Sequence, residues 1–237
     1  MKHAFTIFLI MFSGMVWAQD VSTNSKKARN FYLAASIGPA FPVGKFASAD
    51  LSTDDEAGLA KTGYNLNLHA GYTLTKGFGL SSNIFMSRFK VDNDAVSRFL
   101  NGSGGSGVSA TADHWQYWGI MAGPMGIIDI GDNVYLDVRA LMGFARANLP
   151  VINFTLEGIP DLSAITPDRW TDAFSWQIGT NLRYNFTDRA CFFTNVDYNF
   201  MRPKWKYDVI ENGSTRNVSI EQKMGVLDIS LGVGVNL

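Results

Sequence analysis

The chain has 237 residues and a formal net charge of −1, with 17% charged, 46% hydrophobic and 13% aromatic residues. Soluble chains average about 25% charged residues, so this chain is poor in charge. High hydrophobicity with little net charge excludes intrinsic disorder, and the near-neutral balance argues against a nucleic-acid partner. The single cysteine cannot form an intrachain disulfide, which excludes a disulfide-stabilised scaffold.

The first 18 residues have the pattern of a secretory signal peptide. Lys2 and His3 form a basic start, residues 4–16 are mostly apolar, and the sequence Val16-Trp17-Ala18 precedes a suitable cleavage position. The apolar stretch is shorter than the ~20 residues that a spanning helix needs. We therefore expect residues 1–18 to be removed and residues 19–237 to form one domain outside the cytoplasm.

The rest of the chain alternates between apolar and polar residues with a period of two. In residues 64–75, the even positions are apolar and the odd positions are mostly polar or small. Successive side chains of a β-strand face opposite sides, so this pattern predicts a sheet with one apolar and one polar face. The same interpretation gives eight strands, at about residues 30–43, 63–76, 78–91, 114–130, 134–147, 171–186, 190–206 and 221–237.

The connections between these strands alternate between short and long. Short turns are expected at residues 76–77, 131–133 and 187–189, and long loops at 44–62, 92–113, 148–170 and 207–220. Up-and-down connectivity then places all long loops at one end, as in bacterial outer-membrane barrels. Within the second long loop, residues 94–100 are expected to form a short helix, followed by a glycine-rich tip at 102–107.

The composition of the two faces decides between a soluble and a membrane barrel. A soluble barrel such as a lipocalin turns its apolar face inward. Here the apolar face is bulky over about ten residues, the length of a tilted membrane-spanning strand. Aromatic residues also gather near both strand ends, which predicts two interfacial girdles. The expected members are Phe31, Phe78, Tyr184, Phe186 and Phe192 at the short-turn end, and Tyr64, Trp115, Trp118, Phe174 and Trp205 at the long-loop end.

We therefore predict an all-β fold, an eight-stranded antiparallel up-and-down transmembrane β-barrel. Two segments also carry a family resemblance. The sequence Gly38-Pro39-Ala40-Phe41-Pro42-Val43-Gly44 resembles the first strand and loop of barrel proteins common in the Bacteroidota. Residues 230–237 are similar to the C-terminal assembly signal of such barrels, with Leu237 where an aromatic residue is usual.

The chain as a whole resembles the small eight-stranded outer-membrane β-barrels of the OmpX and OmpA-transmembrane-domain type. This resemblance implies a Gram-negative outer membrane as the location, and we expect the barrel assembly machinery to be a partner during biogenesis. We expect no peptidoglycan-binding domain after the last strand. No residue pattern indicates a cofactor or a metal site.

Ionised residues are predicted on the inward face. An unpaired charge within a membrane costs several kcal/mol, so these residues must be paired or hydrated. We expect Arg139 and Arg183 to pair with the carboxylates, and a protonated histidine could balance the third acid. The predicted network fills a lumen that is just wide enough for side chains, and the alternative is a narrow channel for small solutes. Its members are Asp137, Arg139, Arg183, Asp197, Asp228 and His69.

Seven basic residues fall near the external ends of their strands. Lipopolysaccharide presents phosphate groups at that height, and arginine and lysine bind phosphate through charge-assisted hydrogen bonds. We expect these residues to contact outer-membrane lipids and lipopolysaccharide. They are Lys61, Arg88, Lys90, Arg146, Arg202, Lys204 and Lys206.

The long loop 148–170 is unusually apolar, and long loops are where the function of such scaffolds concentrates. We therefore expect a porin-like barrel with a structural role, or with a surface-binding or adhesion role in which residues 148–170 contact an external partner. No catalytic residue is expected under this hypothesis. The alternative is a small lipid A-modifying enzyme, a hydrolase or acyltransferase, with His114 beside Asp113 and Ser87 on the neighbouring strand.

Overall fold

The computed structural model describes residues 30–51, 56–102, 108–156, 164–165, 169–211 and 214–237. The predicted signal peptide and the residues 103–107 of the glycine-rich tip lie outside these ranges. The described elements are β1 (Phe31–Val43), β2 (Ala60–Thr75), β3 (Phe78–Val91), α1 (Asn93–Gly102), β4 (Val108–Ala112), β5 (Trp115–Gly131), β6 (Val134–Leu149), β7 (Ile152–Leu156), β8 (Ala164–Ile165), β9 (Arg169–Asn185), β10 (Ala190–Met201), β11 (Lys204–Glu211), β12 (Ser214–Glu221) and β13 (Met224–Asn236).

Eight of these strands form a closed antiparallel barrel. Their order around the ring is β1-β13-β10-β9-β6-β5-β3-β2, and β2 pairs with β1 to close it. The first and last strands pair in one register on both sides of Gly38 and Pro39, with Ile37 opposite Leu231 and Val43 opposite Gly225. The predicted eight-stranded up-and-down barrel is confirmed. Closure pairs the backbone groups of every strand in the ring, as hydrocarbon surroundings require.

The alternating pattern places the apolar side chains outside. Ile37, Leu68 and Phe144 are 59%, 58% and 67% exposed, whereas the polar residues between them face the lumen and are buried. A soluble barrel would have the reverse arrangement. The exterior therefore suits a lipid environment.

Tight turns close the end at which β1 begins and β13 ends. Asp132 and Asn133, between β5 and β6, have φ values of 50° and 66°. Such positive values at both central residues of a hairpin turn match the right-handed twist of the strands, and Asp and Asn tolerate them. Between β9 and β10, the hydroxyl oxygen of Thr187 accepts hydrogen bonds from the backbone N–H groups of Arg189 and Ala190, at 3.2 and 2.8 Å.

The long connections contain more structure than the alternation predicts. The strands β4, β7 and β8 form a small sheet, and β11 pairs with β12 in a hairpin. The last two predicted strands are each interrupted, at residues 202–203 and 222–223, because Pro203 has no N–H to donate to a ladder. The helix expected at 94–100 is present as α1. No helix in the described ranges has the length and hydropathy of a membrane span.

The aromatic girdles agree with the prediction except at two tryptophans. At the long-loop end, Tyr64, Trp118 and Phe174 are exposed on the exterior, but Trp115 and Trp205 are buried inside the barrel mouth, where they are 5% and 2% exposed. The expectation for these two tryptophans rested on their position near a strand end. Trp115 and Trp205 keep the inward parity of Tyr117 and Met201, which are buried on the same face. At the short-turn end, Tyr184, Phe186 and Phe192 are exposed, and Phe31 and Phe78 are half-buried.

Candidate functional site

An ion pair crosses the middle of the lumen. Nη2 of Arg139, on β6, donates to Oδ2 and Oδ1 of Asp197, on β10, at 2.8 and 2.9 Å. The same nitrogen donates to Oδ1 of Asn195 at 3.1 Å. Both partners are almost completely buried. Because β9 lies between β6 and β10, the pair braces strands that are not neighbours in the sheet.

A second ion pair lies closer to the short-turn end. Nε of Arg183 is 3.4 Å from Oδ2 of Asp137, which also accepts from Nδ2 of Asn181 at 3.2 Å. The guanidinium carbon is 4.8 Å from the ring centroids of both Tyr32 and Tyr135. Two aromatic faces and one carboxylate therefore surround this cation, and contacts of this type stabilise a desolvated guanidinium.

The other two predicted members of the network differ from the expectation. Asp228 has no arginine partner among the described residues, and its Oδ2 instead accepts from Nδ2 of Asn199 at 2.6 Å. His69 also lacks a carboxylate partner within the described ranges. Its Nε2 instead lies 3.3 Å from Oγ of Ser36. The proposed balance of three acids by two arginines and a protonated histidine is therefore not the arrangement present.

Neutral polar side chains fill the space between the ion pairs. Nδ2 of Asn83 donates to Oδ1 of Asn67 at 3.2 Å and to Oε1 of Gln177 at 3.3 Å. Nδ2 of Asn195 and Oγ of Ser230 meet at 3.1 Å. These residues occupy the polar face that the sequence predicts, but only the charged members were singled out there. The large number of amide and hydroxyl residues on this face was the signal in the sequence. Such groups can hydrogen-bond to one another without a counter-charge.

The two ends of the lumen differ. At the long-loop end, apolar side chains fill it, with ring centroids of Phe46 and Trp115 5.6 Å apart and those of Trp115 and Trp205 5.9 Å apart. Nε1 of Trp115 donates to the carbonyl oxygen of Gly58 at 2.8 Å, which fixes this outer plug to the first long loop. We define the outer plug as Phe46, Phe89, Trp115, Trp205 and Met224.

At the short-turn end the lumen opens into a vestibule of about 890 Å³. Arg183 and Tyr135 reach its lining from the second ion pair, and the remaining walls are mainly neutral polar side chains. The lumen is thus open at the short-turn end, crossed by ion pairs in the middle, and filled by the outer plug at the long-loop end.

Three of the seven predicted rim cations have acidic partners. Lys61 pairs with Asp92 at 3.1 Å, Arg146 contacts Asp172 at 3.8 Å, and Arg202 pairs with Glu221. No ion pair involves Arg88, Lys90, Lys204 or Lys206 among the described residues.

The residues of the alternative enzyme are not brought together. Ser87 is completely buried on the lumen side of β3, whereas His114 lies at the exterior rim, with its Nδ1 3.4 Å from Nη2 of Arg88. Neighbouring residues of a strand face opposite sides, so the same strand that turns Arg88 outward turns Ser87 inward. The serine–histidine pair that the enzyme hypothesis needs is therefore absent from this rim.

The loop 148–170 is described in part. Residues 152–156 form β7, which pairs with β4 from the previous long loop, so that Ala112 lies opposite Ile152. Ile152 and Leu149 are half-buried against the apolar cluster at the external end. Ile159 and Leu162 lie outside the described residues.

Comparison with solved structures supports this architecture. A structure of a major outer membrane protein from Thermus thermophilus aligns with a TM-score of 0.50 and 10% identity, over 88% of this chain and 98% of that one. The chain has the fold of an outer-membrane β-barrel. The Neisserial surface protein A aligns over 87% of this chain and 97% of its own, with 15% identity and a TM-score of 0.45. The attachment invasion locus protein of Yersinia pestis aligns over 87% and 98%, with 16% identity and a TM-score of 0.44.

No family model matches the sequence of this outer-membrane barrel, and no curated protein matches it. The fold and the apolar exterior are together those of a bacterial outer-membrane protein.

Proposed function

We propose that this outer-membrane barrel is a non-conducting, non-catalytic protein that acts through its external surface. The filled lumen is the observation that carries this proposal. Arg139 and Asp197 occupy the middle, and the outer plug occupies the external mouth. A barrel of eight strands is just wide enough for its own side chains, whereas open porins use 16–18 strands.

The external elements support a binding role. The edge strand β4 is covered by α1, because the backbone N–H groups of Ala110 and Ala112 donate to the side chains of Ser97 and Asn93, at 3.1 and 3.0 Å. Capping an edge in this way prevents uncontrolled strand pairing and leaves an ordered platform above the membrane. We propose that residues 148–170, which include β7 of this platform, contact an external partner in a structural or adhesion role.

Two further partners belong to the same proposal. The first is the barrel assembly machinery, which we propose inserts the closed barrel into the outer membrane during biogenesis. The seven rim cations are proposed to contact outer-membrane lipids and lipopolysaccharide. They lie near the long-loop ends of their strands, and lysine and arginine bind phosphate through charge-assisted hydrogen bonds.

Conductance in planar bilayers tests the non-conducting part of the proposal. The purified barrel, its folding checked by heat-dependent migration in gels, should show no stable conductance on the nanosiemens scale. Asp197→Asn should leave this result unchanged. A small conductance that shifts with Asp197→Asn would instead establish the alternative of a narrow solute channel.

Adherence of cells tests the surface-binding part. Cells that produce the barrel would be compared with cells that produce a variant lacking residues 151–165, on surfaces coated with matrix proteins or polysaccharides. Equal surface amounts and equal heat-dependent migration of the two proteins are the controls. Adherence that depends on residues 151–165 supports the proposal. Equal adherence on every surface contradicts a role for this loop.

A further inference from the structure

The outer face of three neighbouring strands changes character in regular layers. Leu66, Met86 and Trp118 are opposite one another on β2, β3 and β5 and form an apolar layer. The next layer toward the long loops contains Tyr64, Arg88 and Gln116, again in register. Successive layers on one face lie about 6.7 Å apart along the strand. A change from apolar to polar side chains of this kind is typical of the boundary between lipid tails and headgroups.

A groove of about 390 Å³ opens on this face, one layer above the apolar residues. We call it the basic groove. Arg88 and Lys90 point outward from β3, and His114 immediately precedes β5. None of its lining residues is acidic, and Asp113, which precedes His114, is not among them. The lining consists of Thr62, Gly63, Tyr64, Arg88, Lys90 and His114.

The cations of the basic groove have no counter-charge among the described residues, unlike three other cations of the rim. Lys61, Arg146 and Arg202 each have an acidic partner within the protein. Arg88 and Lys90 share one strand face, two residues apart, and neither forms an ion pair within the described ranges. Two unneutralised cations side by side repel each other, so an external anion between them is favoured.

The histidine contact defines the donors that face this anion. Nη2 of Arg88 and Nδ1 of His114 are 3.4 Å apart. If the arginine donates to Nδ1, the imidazole proton sits on Nε2, which leaves a second donor for a ligand in the groove. Arginine, lysine and imidazole together then offer three donors of the kind that bind phosphate oxygens.

We propose that the basic groove binds a phosphate group of lipid A, the lipid anchor of lipopolysaccharide in the outer leaflet. This inference deepens the proposed function and rests on its placement of the long loops outside the cell. The groove opens at the height of lipid phosphates, and the side chains of Leu66, Met86 and Trp118 below it contact the acyl chains of the same lipid. Tyr64, exposed at the boundary, fits the girdle position where an amphipathic ring meets headgroups.

Native mass spectrometry of the barrel in neutral detergent, with bisphosphorylated lipid A as the probe, tests the proposal. Arg88→Ala with Lys90→Ala should weaken binding at least about tenfold, which corresponds to the loss of one charge-assisted hydrogen bond. The matched control, Lys76→Ala with Arg189→Ala, removes the same charge from exposed cations at the short-turn end, away from the basic groove, and should bind as the wild type does. Equal weakening in both double variants, or none in the first, would overturn the proposal.

Additional probes separate the sources of phosphate. The wild type should bind lipid A without phosphate more weakly than bisphosphorylated lipid A. Arg88→Ala with Lys90→Ala should bind the two forms equally. Phosphatidylglycerol or inorganic phosphate binding as tightly as lipid A would refute the assignment to lipid A. If the alanine variant fails the gel test of folding, Arg88→Gln with Lys90→Gln retains the side-chain length and serves in its place. Conductance of the same samples tests the proposed function independently. A barrel that conducts but still binds lipid A contradicts the proposed function and leaves the lipid A site intact.

Discussion

Arg139 and Asp197 meet across a strand that carries no side chain between them. The register places Gly179 of β9 opposite both residues, Arg139 on one side and Asp197 on the other. A Cβ atom at Gly179 would overlap Oδ1 of Asp197. The glycine therefore creates the space in which a bidentate ion pair can form over the face of the middle strand, and three residues on three strands act as one unit.

Removing the arginine should destabilise the barrel strongly. Arg139→Ala leaves the carboxylate of Asp197 buried without a cation, which costs about 3–5 kcal/mol in the free energy of unfolding. The measurement is denaturant unfolding of the barrel in detergent, followed by heat-dependent gel migration. Arg183→Ala, beside Asp137, should also lower stability.

The control for this prediction separates charge from packing. Arg139→Met with Asp197→Leu removes both charges and keeps much of the volume, so it should recover most of the stability lost in Arg139→Ala. Arg146→Ala should change the free energy by no more than about 1 kcal/mol, because Arg146 and Asp172 form a solvent-exposed pair. A midpoint for Arg139→Ala equal to that of the wild type would mean that the lumen already satisfies Asp197 by other means.

Gly179→Ala should reproduce the loss without removing a charge. The added methyl group displaces the carboxylate of Asp197 and breaks its contact with Arg139, and we expect a loss of about 1–3 kcal/mol, typical of overpacking. Gly126→Ala is the matched control, since a Cβ there meets nothing closer than the carbonyl oxygen of Val138 at 3.8 Å. Equal unfolding midpoints for the two variants would contradict the role assigned to Gly179.

The sequence predicts the barrel well because a strict period of two is dictated by geometry. Each strand of the ring lies within a few residues of its predicted position, and Asp137, Arg139, Arg183 and Asp197 all face the lumen. Pairings within the lumen depend on side chains from strands far apart in sequence. Periodicity alone therefore could not separate Asp228, whose Oδ2 accepts from the amide of Asn199, from Asp197, which pairs with an arginine.

The external ends were predictable only in outline. Burial alternates without a break from Met201 to Lys206, so parity places Trp205 inward, and only its packing against Trp115 depends on the tertiary fold. The basic groove had a partial signal, since Arg88 and Lys90 were both among the predicted rim cations. Neither has an acidic partner in the part of the chain that the structure describes, and such a tertiary property cannot be derived from the spacing of charges along the sequence.

Trp205→Ala should weaken the outer plug. The side chain is buried against Trp115, and truncation of a buried tryptophan costs about 3–5 kcal/mol. Phe144→Ala is the control, because Phe144 lies on the lipid face with 67% of its surface exposed and leaves no internal void. Unfolding in detergent should separate the two variants by at least about 2 kcal/mol. Similar losses would mean that the plug packs no more tightly than the lipid-facing surface.

The stability of α1 should depend on pH through Asp92. Oδ1 of this residue accepts from the backbone N–H of Ala95 at 3.1 Å, as an N-cap does, and lies 3.1 Å from Nζ of Lys61. Partial burial raises the pKa of Asp92, but the hydrogen bonds from Lys61 and Ala95 outweigh it and hold the pKa below its usual value of 3.8. A depressed pKa means that the carboxylate stabilises the folded state fully above the unfolded value, and that this contribution disappears as the pH falls through the folded value.

Protection of α1 amides in hydrogen exchange, corrected for intrinsic rates, should therefore stay constant from pH 7 to about pH 5 and fall below about pH 4. Asp92→Ala should lower this protection by about 1 kcal/mol at pH 7, the usual value of an N-cap, and should remove most of the fall at acid pH. Asp92→Asn keeps an acceptor for Ala95 but no charge, so its protection should be nearly independent of pH and intermediate in size. Lys61→Met should weaken protection at pH 7 without abolishing the cap. An acid-induced fall that persists unchanged in Asp92→Asn would assign it to another carboxylate.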